Sequence, residues 1–128
     1  MIKLLFTGAS GFLGENLKPL LKESFDVKTL GLTNKDAYNI NIAKSIPEFN
    51  EPFEVILHAA GKAHSIPKTK EEEKVFFDVN YKGTVNLCKA LEQTNPPKTF
   101  IFISTVAVYG LEAGENITEE YPLNGDTP

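Results

Sequence analysis

The 128-residue sequence has no arginine; all 13 of its basic residues are lysine. The planar fork that clamps phosphate and reads guanine is therefore missing, which argues against a nucleic-acid partner. Cysteine is nearly absent as well. Cys88 stands alone, so no internal disulfide can form, and with no CxxC pair or His/Cys cluster nothing points to a metal. The chain reads as an intracellular, cytoplasmic one. Long apolar runs are lacking too: the first ends before Gly8, far short of a signal-peptide core or a membrane span, so no membrane association is expected. Without a secretion signal, the sequon Asn116-Ile117-Thr118 reads as a chance match. What remains, 41% hydrophobic and 23% charged residues with a net charge of -4, describes one globular domain with a real core. Nine Phe and four Tyr spread along it exclude disorder.

Short apolar runs at 2–6, 27–30, 54–59 and 100–104 alternate with longer amphipathic stretches at 12–23 and 70–93. That is βαβ alternation. Runs without a polar alternate face, such as Phe100-Ile101-Phe102-Ile103, call for cover on both sides, as a parallel sheet between two helical layers provides. The expected fold is α/β, a Rossmann-like parallel sheet with helices on both faces. In the stretch 70–93, Phe76, Val79, Gly83, Leu87 and Leu91 fall on one helical face, with Gly83 expected to let the helix approach the sheet. Glu71, Glu72 and Glu73 open that helix, where acids complement its dipole. After Gly110 the periodicity fades: 111–128 holds five acids, two prolines and no lysine. It reads as loop.

Between the first strand and first helix lies Thr7-Gly8-Ala9-Ser10-Gly11-Phe12-Leu13-Gly14. Gly8 permits a tight turn, Gly11 lets backbone N–H groups approach a pyrophosphate at the helix N-terminus, and Gly14 allows close helix-to-strand packing. A P-loop is the competing phosphate cradle. It needs Gly-Lys followed by Ser or Thr, and Gly61-Lys62 is followed by Ala63.

Four segments in order resemble the extended short-chain dehydrogenase/reductases that act on nucleotide sugars, the NAD-dependent epimerase/dehydratases. The loop above resembles their TGxxGxxG. His58-Ala59-Ala60-Gly61 looks like their HAA motif, Asn80-Tyr81-Lys82-Gly83-Thr84 like their N-V-x-G-T helix signature, and Ser104-Thr105-Val106-Ala107-Val108-Tyr109-Gly110 like their S-S/T-x-x-V-Y-G segment. The resemblance implies NAD or NADP as cofactor, held by Gly8, Ser10, Gly11, Phe12, Leu13, Gly14, His58, Ala59, Ala60, Gly61 and Asn80. It also implies that Thr105, with Ser104 beside it, hydrogen-bonds the reacting oxygen of a nucleotide-linked sugar. The hydroxyls and the Asn have plainer counterparts, finishing a strand and satisfying a backbone group, and His58 is expected to pack beneath the cofactor rather than to do acid/base work. His64, in the segment 62–68 expected above the sheet's carboxyl edge, reads as a surface histidine.

The sequence also departs from that family. The acid that holds the adenosine 2′-hydroxyl is replaced by Gly31, and Lys35 nearby is a candidate partner for a 2′-phosphate. Asn41-Ile42 is the nearest match to the family's adenine-binding Asp-aliphatic pair. Val106-Ala107 stands where the 4,6-dehydratases of the family carry Asp-Glu, so elimination lacks an agent. No Tyr-x-x-x-Lys pair follows Thr105, since Ala113 stands four residues after Tyr109 and Gly125 four after Tyr121. The stretch 122–128 resembles the one that precedes the catalytic Tyr, so the chain looks cut just short of it. These features divide it into an NAD(P)-binding Rossmann half, 1–110, and a loop or tail, 111–128, leading to a missing catalytic and substrate-binding region.

The resemblance and right-handed crossovers imply strand order 3-2-1-4, incomplete, with the run 100–103 on an open edge. An apolar edge invites self-association. The function expected is the NAD(P)-binding portion of a nucleotide-sugar epimerase or keto-sugar reductase acting by hydride transfer, the chain by itself being inactive. The alternatives are a non-catalytic dinucleotide-binding or sensor module and a Rossmann-like domain without ligand.

Overall fold

The computed structural model describes residues 1–63 and 65–126. In chain order the elements are β1 (Ile2–Thr7), α1 (Phe12–Leu21), β2 (Phe25–Gly31), β3 (Tyr38–Asn39), β4 (Val55–His58), α2 (Lys70–Phe77), a π-helical turn (Asp78–Lys82), α3 (Gly83–Thr94), β5 (Thr99–Phe102) and a 3₁₀ turn (Val106–Tyr109). The strands form one parallel sheet, β3-β2-β1-β4-β5.

β1 is central, which explains its sealed run: from Leu4 to Thr7 every residue is buried. The strand pleat sends alternate side chains to opposite faces. Leu4 and Phe6 join Ala9 and Leu57 beneath Leu17 and Leu21 of α1. Leu5 joins Leu30, Ile56 and Phe53 beneath Leu87 and Leu91 of α3. Each such side chain contributes about 1.5–3 kcal/mol when fully buried, and the two clusters clamp β1 from both sides.

The expected order 3-2-1-4 is present and extended by a fifth strand. The two-residue β3 shifts the count, so the run ending in His58 is fourth, not third. It pairs with β1, Thr7 beside His58, and not with β2. β5 departs from expectation more sharply. Its apolar residues were expected under helical cover on both faces, yet Phe100, Ile101 and Phe102 are all exposed. Among the described residues only β4 flanks it, and neither core cluster reaches it.

The stretch expected as one helix over 70–93 runs to Thr94 and widens over Asp78–Lys82. Its start is capped by Thr69, whose hydroxyl oxygen accepts from Glu72 N–H at 3.1 Å. Glu72 reaches back to accept from Lys68 N–H at 2.6 Å, a variant of the reciprocal capping box. Gly83 is buried, but it approaches Ile42 rather than the sheet: a Cβ at position 83 would lie 3.3 Å from Ile42 Cγ1. No helix among the described residues is long and apolar enough to cross a membrane. No acidic, His and Cys cluster among them could hold a metal ion.

Candidate functional site

Parallel sheets place their site at the carboxyl ends of the strands, where the crossover direction reverses. Here that point lies between β1 and β4, because the chain goes from β1 outward through β2 and β3, then returns to β4 on the other side. The glycine loop leaves β1 at this point. Gly8 has φ +78°, and a Cβ on it would lie 2.7 Å from the Ala59 carbonyl and from Ala60 N. Conformation and space both require glycine there. A Cβ on Gly14 would enter the backbone of Ala9, so α1 packs directly on the loop.

Gly11 differs from both. A Cβ there would meet only Gly8 O, at 3.5 Å, so the approach is open. Gly11 also precedes the first turn of α1, which no side chain caps. Phe12 and Leu13 turn their side chains outward from this turn, leaving N–H groups and the positive end of the helix dipole toward the opening. Exposed Ser10 sits in the same turn, and Gly11 N–H donates to Gly8 O at 3.2 Å to hold it closed.

On the β4 side, His58 is the only buried ring that titrates among the described residues. Thr84 Oγ1 donates to Asn80 O at 2.8 Å, so its single proton is used and it must accept from His58 Nε2–H, also at 2.8 Å. That fixes the tautomer. His58 Nδ1 then accepts from Thr7 Oγ1 at 2.5 Å, and Thr7 Oγ1 accepts from Ala60 N–H at 3.1 Å. One directional chain thus joins β1, β4, the small-residue segment and the π turn. Burial lowers the His58 pKa from 6.5 to about 4, keeping the ring neutral.

Asn80 holds the same segment from above. Its Oδ1 accepts from Lys62 N–H at 2.7 Å, and its Nδ2 donates to Lys62 O at 3.0 Å. A Cβ on Gly61 would come within 3.3 Å of that Oδ1. Asn80 therefore braces the backbone that follows His58-Ala59-Ala60. Neither Thr7 nor Thr84 stands out in the sequence as a partner of His58. They are 77 residues apart, and no local pattern links them.

Ser104 and Thr105 follow β5 on the same carboxyl edge, both exposed. Ile103 N–H donates to His58 O at 3.0 Å, tying this segment to the end of β4. Thr105 Oγ1 accepts from Ala107 N–H at 3.2 Å and caps the 3₁₀ turn. Asn41 and Ile42 lie beyond β3. Asn41 Oδ1 accepts from Ala43 N–H at 3.1 Å, and Ile42 gives its side chain to the core. The Ile42 carbonyl in turn accepts from the buried Asn86 Nδ2 at 2.7 Å. His64 lies outside the described residues. A depression of about 340 Å³ lies at the opposite, amino end of the sheet, where Lys3 and Lys98 are paired with Glu51 and Glu54. It is remote from the glycine loop.

A Rossmann-type fold with a glycine loop at its switch point defines a nucleotide-binding protein class. A sequence profile of the NAD dependent epimerase/dehydratase family matches residues 4–128, and the chain belongs to that family. It is 36% identical over 118 residues to a UDP-glucose 4-epimerase of Vibrio cholerae, an alignment covering 84% of this chain and 36% of that protein. It is 30% identical over 122 residues to the GDP-6-deoxy-D-talose 4-dehydrogenase of Aggregatibacter actinomycetemcomitans, covering 92% of this chain and 40% of that one. RMD from Pseudomonas aeruginosa, solved complexed with NADPH, superposes with a TM-score of 0.74 at 26% identity, over 98% of this chain and 44% of that one. The chain thus spans less than half the length of these relatives.

Proposed function

We propose that the chain is the NAD(P)-binding portion of a nucleotide-sugar epimerase or keto-sugar reductase working by hydride transfer at a sugar carbon. One observation carries the reading: the open, uncapped turn at Gly11 shares a sheet edge with the small wall Ala59-Ala60-Gly61 and the Thr105 hydroxyl.

These residues fit a dinucleotide. The first turn of α1 offers N–H donors and a positive dipole end to a pyrophosphate, with Gly11 leaving room for it. Gly8, Ala59, Ala60 and Gly61 keep bulk out of the neighbouring wall. His58 lies beneath that wall as a neutral spacer and does not transfer protons. When bound, the nicotinamide supplies hydride acceptance and donation. Thr105 accepts one backbone hydrogen bond and still has its own proton to give to a sugar oxygen, with Ser104 as its neighbour. The relatives include both 4-epimerases and a 4-dehydrogenase of nucleotide sugars, which supports the substrate class.

None of the four tyrosines has a Lys four positions later, so the chain by itself binds cofactor without turnover. Calorimetric titration of the folded chain with NAD and with NADP tests the site. Binding of at least one is expected, and Gly11→Val is expected to abolish it while the circular dichroism spectrum is unchanged. A folded chain that binds neither overturns the reading. Conversion of UDP-glucose by the chain would overturn the expectation of no turnover.

A further inference from the structure

We propose that Asp36 selects between the two dinucleotides, favouring the one with a free adenosine 2′-hydroxyl, NAD, over its 2′-phosphorylated counterpart. The inference rests on the dinucleotide-binding reading above and adds a specificity determinant to it.

The argument starts from Gly31, the last residue of β2. Its neighbour Leu30 pairs with Thr7 of β1, so Gly31 stands beside the exit of the glycine loop. Glycine is not demanded there by conformation, because its φ lies outside the left-handed region. Space is the reason. A Cβ at position 31 would lie 2.7 Å from Asp36 Oδ2, 3.0 Å from its Cγ and 3.2 Å from its Oδ1. The carboxylate from five residues downstream fills the volume a side chain on Gly31 would use. In dinucleotide-binding sheets an acid about 20 residues beyond the glycine loop accepts a hydrogen bond from the ribose 2′-hydroxyl. Asp36 stands 22 residues after Gly14, and the structure folds its carboxylate back onto the strand end.

That carboxylate is held rather than free. Thr33 N–H and Thr33 Oγ1 donate to Asp36 Oδ2 at 3.0 and 2.6 Å, while Asp36 N–H donates to Thr33 O at 3.1 Å. The turn is closed in both directions. It is also pinned to the strand, since Ile40 N–H donates to Gly31 O at 3.0 Å. Partial burial disfavours ionisation, but the hydrogen bonds from Thr33 and Thr29 outweigh it and keep the carboxyl below its usual range, so Asp36 is an anion at neutral pH. An ionised carboxylate has about four acceptor positions, enough to take a ribose hydroxyl in addition to these donors. A 2′-phosphate at the same place would set a second anion against it. Lys35 is adjacent in sequence but exposed, and Lys18 on α1 acts on Asp36 only through its charge.

The test is calorimetric titration of the wild-type chain, Asp36→Ala and the double variant Gly31→Asp/Asp36→Ala with NAD and with NADP. The wild type is expected to bind NAD at least tenfold more tightly. Asp36→Ala is expected to bring the two within threefold of each other, mainly by weakening NAD. The double variant returns the acid to the strand end and is expected to restore the preference. Equal or tighter binding of NADP by the wild type, or an Asp36→Ala variant that keeps the full preference, overturns the proposal and leaves the dinucleotide site standing. Binding of neither dinucleotide by any of the folded chains overturns both.

Discussion

At the scale of single residues, His58 ties pH to stability. Its folded pKa of about 4 lies below the ordinary 6.5, so on acidification the unfolded chain takes the proton first. The stability from keeping His58 neutral is complete above about pH 6.5 and is lost as the pH falls toward 4. From pH 7.5 to 5 the loss is about 2 kcal/mol. Urea unfolding at the two pH values checks this, and equal free energies would refute it. His58→Asn is expected to be less stable at pH 7.5 and to lose most of the difference. The sequence showed a buried histidine at the end of an apolar run and a missing acid at Gly31. It did not show what each meets, because Thr84 and Asp36 reach them only through the fold.

At the scale of elements, the π turn has the clearest role. Steps of four from Val79 to Gly83, Leu87 and Leu91 drift by about 40° each around an ordinary helix, and a wider turn absorbs part of that drift. It also presents Asn80 to Lys62. In Asn80→Ala both hydrogen bonds are lost, and the segment after Gly61 is expected to loosen before the rest of the fold. Limited trypsin digestion should then cut after Lys62 and Lys68 severalfold faster, while the thermal midpoint falls by only a few degrees. Unchanged cleavage would show that Asn80 does not brace the segment. The helix was legible as one amphipathic run, and the turn within it was not, because an inserted residue leaves no residue-type signature. β3 escaped the sequence for a different reason. A pair as short as Tyr38-Asn39 has no periodicity, and it becomes a strand only by pairing with Leu30 and Gly31.

At the scale of the whole molecule, burial falls away across the sheet, from a sealed β1 to a half-exposed β5. Phe100, Ile101, Phe102 and Ile103 are each more than a third exposed, and among the described residues β5 has a partner on one side only. We propose that a second copy pairs with this edge, since unpaired N–H and C=O groups beside apolar side chains template further strands. Light scattering is expected to show dimers or larger species, and Ile101→Lys to return them toward monomer. A wild-type monomer at high concentration would refute the proposal. The two helical layers and the open edge were legible from alternation and resemblance, whereas the loss of cover over β5 depends on which elements follow it in space. The wall beside the glycine loop has one more property. Ala59 N–H donates to Thr7 O as part of the strand ladder, while the next amide, Ala60 N–H, donates to the Thr7 hydroxyl. Adjacent amides therefore exchange with deuterium through different openings. The first waits for the sheet to part, and the second for the buried Thr7 hydroxyl and its link to His58 to let go, so their ratio separates motion of the wall from unfolding of the domain.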